Sequence, residues 1–126
     1  GSPKLMHTSG VDIIEIRRLE QAIEHWGERF LRRVYTQREI SLCRDRLPEL
    51  AVRFAGKEAV MKALGTGNRG VAWREIEILP IRGGKPMVHL SGRAQARAEK
   101  LGIRDLAISL SHSQEYAIAM VVGEMA

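Results

Sequence analysis

The sequence predicts an α+β fold in which a mostly antiparallel sheet packs with a long central helix. Three observations carry that expectation. Apolar residues recur at helical spacing through Val52, Ala55, Ala59 and Ala63, with Phe54 and Met61 beside them. Charged and apolar residues alternate from Val71 to Leu79, the mark of a half-exposed strand. The coarse order of elements reads β-α-α-α-β-β-α-β-β, which suits antiparallel pairing.

A chain of 126 residues is the size of one domain, taken here as residues 6–126. Residues 1–5, before Met6, are set aside as a cloning remnant. With 44% hydrophobic residues and only 5% aromatics, the chain can build one modest core, mostly of Ile, Leu, Val and Ala. The net charge of +5 and a pI near 9.9 point to an acidic partner: nucleic acid, an acidic protein or a polyphosphate cofactor. Cys43 is the only cysteine, which excludes an internal disulfide and makes a reducing cytoplasm the natural setting. No signal peptide and no apolar run long enough to cross a bilayer is seen. Repeats, low-complexity tracts and linkers are absent from the sequence.

Gly10 to Ile16 reads as a strand whose apolar run is interrupted by Asp12. A carboxylate there is costly unless something pairs with it, so Asp12 is either a strand-end cap for the following turn or a metal ligand. Arg17 to Arg33 reads as an amphipathic helix with Ile16, Leu19, Ile23, Trp26 and Phe30 along its apolar stripe. Its five arginines, offset by Glu20, Glu24 and Glu28, make either a solvated face laced with ion pairs or a docking surface for an acidic partner helix. Thr36-Gln37-Arg38-Glu39 is a capping box opening a short helix to about Arg46, and Pro48 marks the start of the next one. Cys43, without a nearby His, is an ordinary small residue.

The central helix runs through Arg53 to Leu64 and ends at Gly65, with Gly67 keeping the exit loop pliable. Arg53 and Lys57 stand one turn apart, and so do Glu58 and Lys62. Glu58 and Lys62 fit an exposed salt bridge worth about 0.3–0.5 kcal/mol. They equally fit a site for a phosphate-rich ligand with a hard metal ion, the carboxylate holding metal and the lysines phosphates. The helix precedes the glycines, so this is no Walker A loop. Beyond the Val71–Leu79 strand, Pro80 to Pro86 is a turn and Met87 to Leu90 the returning strand. Ser91 is expected to cap a helix from Gly92 to Leu101 that ends at Gly102. Leu106 to Leu110 and Tyr116 to Val122 form two last strands. His112 lies at the corner between them, where a turn histidine bonded to backbone is the plain reading. It has no Cys or His partner at zinc spacing, and no GxSxG elbow supports hydrolase chemistry.

Taken together, Gly10-Val11-Asp12-Ile13, the stretch from Arg53 to Gly67, Gly84-Lys85-Pro86 and Ser109-Leu110-Ser111-His112-Ser113 resemble the holo-acyl-carrier-protein synthases, the small 4′-phosphopantetheinyl transferases. The resemblance runs from Gly10 to Glu124, with the motifs in the family's order at compatible spacing. Gly56 stands where the family more often has a second alanine, lowering helix propensity by ~1 kcal/mol without touching the chemistry.

This resemblance implies a transferase-like fold and a defined reaction. The serine hydroxyl of an apo acyl carrier protein attacks the β-phosphate of coenzyme A, the phosphopantetheine arm is transferred, and adenosine 3′,5′-bisphosphate leaves. It implies Mg²⁺ on Asp12 and Glu58, with Lys62 as a point charge beside the pyrophosphate and Lys57 as a second phosphate clamp. Arg53 and His112 resemble positions on the 3′-phosphate side of coenzyme A, and Gly65 with the Gly84-Lys85-Pro86 turn would lie along the nucleotide. Glu58, directly or through a metal-bound water, is a candidate base for the serine, though phosphoryl transfer does not require a strong protein base. Arg18, Arg29 and Arg33, with Phe30 as apolar anchor, are the expected docking residues for the acidic carrier protein. The resemblance further implies homotrimers with the active site between subunits, so that Asp12 and Glu58 meet a neighbour's Gly84-Lys85-Pro86 turn. The competing readings are a basic module binding nucleic acid, against which stand the few aromatics available for base stacking, and a coenzyme A binder without turnover.

Overall fold

The computed structural model describes residues 6–126, so the reading of residues 1–5 falls outside it. The first strand, β1, spans Met6–Glu15, four residues longer at its start than the pattern from Gly10 suggests. Its inward face lies directly on the central helix: Thr8 Oγ1 donates to the carbonyl of Ala63 at 2.7 Å, and Gly10 packs against the backbone of Ala59 and Ala63. That close approach is what the small residues of the helix permit.

The expected single helix from Arg17 to Arg33 is two helices, α1 (Ile16–Trp26) and α2 (Glu28–Val34). Gly27 separates them with φ of 59°, a left-handed conformation that glycine adopts without steric cost. The capping box at Thr36 and Glu39 is formed in both directions and opens α3 (Gln37–Cys43), which ends at Arg44 and Asp45, both at positive φ.

The central helix α4 (Leu47–Leu64) carries Pro48 in its first turn and ends at Gly65, whose φ is 72°. It is buried on nearly every side, and its small or apolar residues all round show why. One core cluster gathers Ala55, Ala59, Val60 and Ala63 with Ile76, Ile78, Ile108 and Val121; a second gathers Leu50, Ala51 and Val52 with Ile16, Leu19, Val34 and Tyr35. Gly56 fits the first cluster closely, since a Cβ there would approach Ile78 Cδ1 to 2.6 Å and Ile108 Cδ1 to 3.2 Å.

The strand expected over Val71–Leu79 is shorter. Residues Trp73–Glu75 form a 3-10 turn and β2 begins only at Ile76, running to Pro80. The Glu75 carboxylate accepts the amide of Ala72, which coils this segment, and its other oxygen accepts the amide of Arg93. Glu75 thereby takes the capping role expected of Ser91, whose side chain makes no cap bond to α5 (Gly92–Leu101). β3 (Pro86–Leu90) pairs antiparallel with β2, and β4 (Ile103–His112) and β5 (Tyr116–Met125) complete the chain.

Two antiparallel sheets result, β1-β5-β4 and β2-β3, in the α+β class that the pattern indicates. In the larger sheet Asp12 stands opposite Ala119, and Ala119 opposite Leu110, so β1 and β4 are its two edges. Among the described residues no helix is long and apolar enough to cross a membrane.

Candidate active site

Asp12 projects from β1 toward α4, which presents Glu58 and Lys62 one turn apart. Lys62 Nζ donates to Asp12 Oδ1 at 3.1 Å and to the carbonyl of Val11 at 2.9 Å. The cation of this trio thus pairs with Asp12, not with Glu58 as an isolated helix would favour. Asp12 lies in mid-strand, paired with Ala119, which removes the strand-end cap reading. Its side chain is 11% exposed, and Oδ2 is buried without a hydrogen-bond partner.

A buried, unpaired carboxylate oxygen is costly and marks a place for a further ligand. Burial pushes the Glu58 carboxyl above its ordinary range, the negative charge of Asp12 pushes it further, and Lys62 opposes both. A carboxylate whose charge is disfavoured beside a second carboxylate is what a divalent cation relieves. Mg²⁺ is bound through one or two carboxylates plus waters and phosphate oxygens, so Asp12 and Glu58 fit it. No group of three or more His, Cys, Asp or Glu side chains able to form a protein-only metal cage occurs among the described residues.

A second cluster forms at the other edge of the sheet. Arg53, Gly84, Lys85, Pro86 and His112 line one cavity of about 420 Å³ over Val52, Ile108 and Leu110. Arg53 is only 5% exposed, and its guanidinium is already engaged: Nε donates to Ile78 O at 2.9 Å, and one terminal nitrogen to Glu49 Oε2 at 2.8 Å. Lys85 and His112 are exposed and offer an ammonium and an imidazole group to the cavity. Glu49 also lines it, a residue that no sequence pattern marked. Gly65 sits elsewhere, exposed at the end of α4, where Arg97 Nε donates to Leu64 O at 3.0 Å.

Lys57 requires a correction. It is 0% exposed, its ammonium is 2.7 Å from Glu39 Oε1, and it cannot reach a phosphate. Arg53 and Glu58, five residues apart, point about 140° away from each other around the helix axis. Since β5 separates β1 from β4, their edges stand about 10 Å apart. The two clusters of one copy are therefore separate, on opposite edges of the larger sheet.

Residues 9–121, which include both clusters, match the family model described as the 4′-phosphopantetheinyl transferase superfamily. The chain is 54% identical over 116 residues to a holo-[acyl-carrier-protein] synthase of Dehalococcoides mccartyi, covering 92% of this chain and 97% of that one. The chain belongs to the holo-acyl-carrier-protein synthase family. It is 53% identical over 125 residues to the family member of Herpetosiphon aurantiacus, with 94% and 98% of the two chains covered. The crystal structure of the Helicobacter pylori holo-[acyl-carrier-protein] synthase in complex with coenzyme A superposes with a TM-score of 0.83 at 34% identity, over 91% of this chain and 98% of that one.

In this member of the synthase family, the residues expected to dock a carrier protein flank two recesses that share Phe30. Arg18 borders an apolar groove of about 420 Å³ with Ile14, Leu19, Phe30 and Phe54. Arg29 and Arg33 border a recess of about 390 Å³ with Phe30 and Trp26. Trp26 is 56% exposed, a docking candidate that the helical pattern had assigned to the buried stripe. Trp26 is the last residue of α1, directly before the Gly27 break, so the apolar stripe does not continue through it as one helix face. Phe30 is itself fixed by stacking on Phe54 at 6.1 Å, and Phe54 on Trp73 at 4.9 Å.

Proposed function

We propose that this chain moves the 4′-phosphopantetheine arm of coenzyme A onto a serine of an apo acyl carrier protein, with Mg²⁺ held by Asp12 and Glu58. The observation that carries the reading is the buried, unpartnered Oδ2 of Asp12 beside Glu58 in a chain of this family. The coenzyme A complex of the Helicobacter pylori relative supports a nucleotide of that kind.

The serine oxygen forms a bond to the β-phosphorus of coenzyme A. The bond from that phosphorus to the oxygen bridging to the α-phosphate breaks, and adenosine 3′,5′-bisphosphate carries the electron pair away. The serine proton passes to Glu58, directly or through one water, and its raised pKa suits it to receive a proton. When bound, Mg²⁺ neutralises charge on the diphosphate. Lys62 adds a fixed positive charge on the same side, and Gly65, exposed at the end of α4, would lie along the nucleotide. At the adenosine end Lys85 and His112 hold anionic oxygens, with Gly84 and Pro86 along the nucleotide and Arg53 shaping the floor. Such transfer depends mainly on positioning and electrostatics, so a strong protein base is unnecessary.

The half-sites stand on opposite edges of one sheet, which favours a ring in which the β1 edge of one copy meets the β4 edge of the next. Val11 and Ile13, exposed on the sheet beside their register partners Met120 and Ile118, supply an apolar outer face for that contact. A homotrimer is the proposed closure. The acidic carrier protein is proposed to dock on Arg18, Arg29, Phe30 and Arg33, and the lone, buried Cys43 suits a reducing cytoplasm.

The test is incubation with an apo carrier protein, coenzyme A and Mg²⁺, followed by mass spectrometry. A phosphopantetheine adduct on the carrier serine is expected. Absence of the adduct with every carrier tried, while coenzyme A still binds, would leave a binding protein without turnover.

A further inference from the structure

Glu39 and Lys57 are both 0% exposed, and no step of the proposed reaction uses them. Their hydrogen bonds leave nothing unsatisfied. Lys57 Nζ donates to Glu39 Oε1 at 2.7 Å, to the carbonyl of Trp73 at 3.2 Å, and to the carbonyl of Ile76. Glu39 Oε1 also accepts the amide of Thr36 at 2.9 Å, and Oε2 accepts the amide of Ile78 at 2.9 Å. Every backbone group held by the pair therefore belongs either to the start of α3 or to residues 73–78.

Ile78 is where this network meets the nucleotide cavity. Its N–H is fastened by Glu39, and its carbonyl accepts Arg53 Nε at 2.9 Å. The same strand then pairs, residue by residue, with β3, ending at Pro80 opposite Pro86. The turn that carries Gly84 and Lys85 onto the cavity thus takes its position from β2. A buried ion pair is weak evidence of stabilisation, because an apolar pair of similar volume often serves as well. What two apolar side chains cannot do is fix the direction of individual peptide groups.

We propose that Glu39 and Lys57 are positioning residues for the nucleotide cavity, setting β2 so that Arg53 and the Lys85 turn are correctly placed. This inference rests on the transferase reading above. It assigns the pair an effect on coenzyme A binding that a purely structural role does not produce.

The experiment uses the full chain with Mg²⁺ and compares wild type, Glu39→Gln and the double variant Glu39→Leu/Lys57→Met. It measures thermal unfolding, kcat and KM for coenzyme A, and calorimetric binding of adenosine 3′,5′-bisphosphate. The double variant is expected to unfold cooperatively, with KM and the bisphosphate Kd raised about 10–100-fold and kcat little changed, the size typical of lost supporting contacts. Combined with Arg53→Ala, the effect on Kd is expected to be less than additive, because both act through Ile78. A folded double variant with wild-type KM and Kd overturns the inference. Should that variant not fold, Glu39→Gln decides in the same way: a raised Kd supports the positioning role, and an unchanged Kd overturns it. Wild-type protein that binds no bisphosphate would strike the transferase reading itself and take the inference with it.

Discussion

A side-chain carbon added at Gly10 would lie 2.0 Å from the carbonyl oxygen of Ala59 and 3.0 Å from the amide nitrogen of Ala63. Both are backbone atoms of a helix, so neither can step aside. Gly10 thereby sets the spacing between β1 and α4 on which the Asp12–Glu58 arrangement depends. Gly10→Ala is expected to destabilise the protein by about 1–3 kcal/mol or more through overpacking, and to lower transfer activity beyond the unfolded fraction. Thermal unfolding and activity assays on the same preparations check this.

Asp12→Asn and Glu58→Gln are each expected to lower kcat by about 10²–10³-fold or more while leaving the far-ultraviolet circular dichroism unchanged. Chelation of divalent cations is expected to abolish transfer, and added Mg²⁺ to restore it. Full activity in either variant would refute the proposed ligands.

The acid limb of the pH–rate profile carries its own signature. Burial and the Asp12 charge raise Glu58, so protons compete with the metal at a higher pH than for an ordinary glutamate. Lys62→Met removes the one cation that lowers it and is expected to move that limb to still higher pH. For the metal-free fold the sign is fixed by the same shift: the contribution of Glu58 is full below its unfolded value and is lost as pH rises through its folded one. Added Mg²⁺ is expected to raise Tm more at neutral than at acidic pH.

Glu75 behaves in the opposite sense. Burial pushes it up, but the amides of Ala72 and Arg93 and the Arg93 side chain outweigh this and hold its carboxyl below the ordinary range. Its contribution is present above the unfolded value and is lost as pH falls through the folded one. Glu75→Gln is expected to cost about 0.5–2 kcal/mol, the size of a lost helix cap, with a smaller difference in acid. Chemical denaturation at two pH values resolves it.

Docking on the basic helices predicts a separation of kinetic constants. Arg18→Glu and Arg33→Glu are expected to raise KM for the carrier protein about tenfold or more and to flatten its salt dependence, while KM for coenzyme A stays put. A parallel rise in both constants would point instead to a disturbed fold.

Much of this molecule is legible in the sequence because local rules and tertiary packing agree there. Thr36 and Glu39 announce their helix, Pro48 and Gly65 bracket the central one, and the small residues between them imply close neighbours. Two of the departures share one cause, a residue serving two elements. The capping box accounts for Glu39 on sequence alone, yet the same carboxylate also holds Lys57 and Ile78. Glu75 read as the charged half of an alternating strand, but it caps a turn and a helix instead. Spacing placed Lys57 beside Arg53 and Glu58, but it could not tell that desolvation and a buried partner had claimed it. Gly27 leaves no mark in the pattern, because an amphipathic stripe on either side of a kink reads like one stripe.

The placement of Asp12 and His112 on opposite borders of one sheet has a genetic consequence. If catalysis happens at the seams between copies, a subunit crippled at Asp12 and another crippled at His112 are each dead when pure. Co-expressed, they would still build some seams with two intact contributors, and a fraction of the activity would return. A heterozygous cell would then owe its carrier-protein modification to mixed rings that neither allele can form alone.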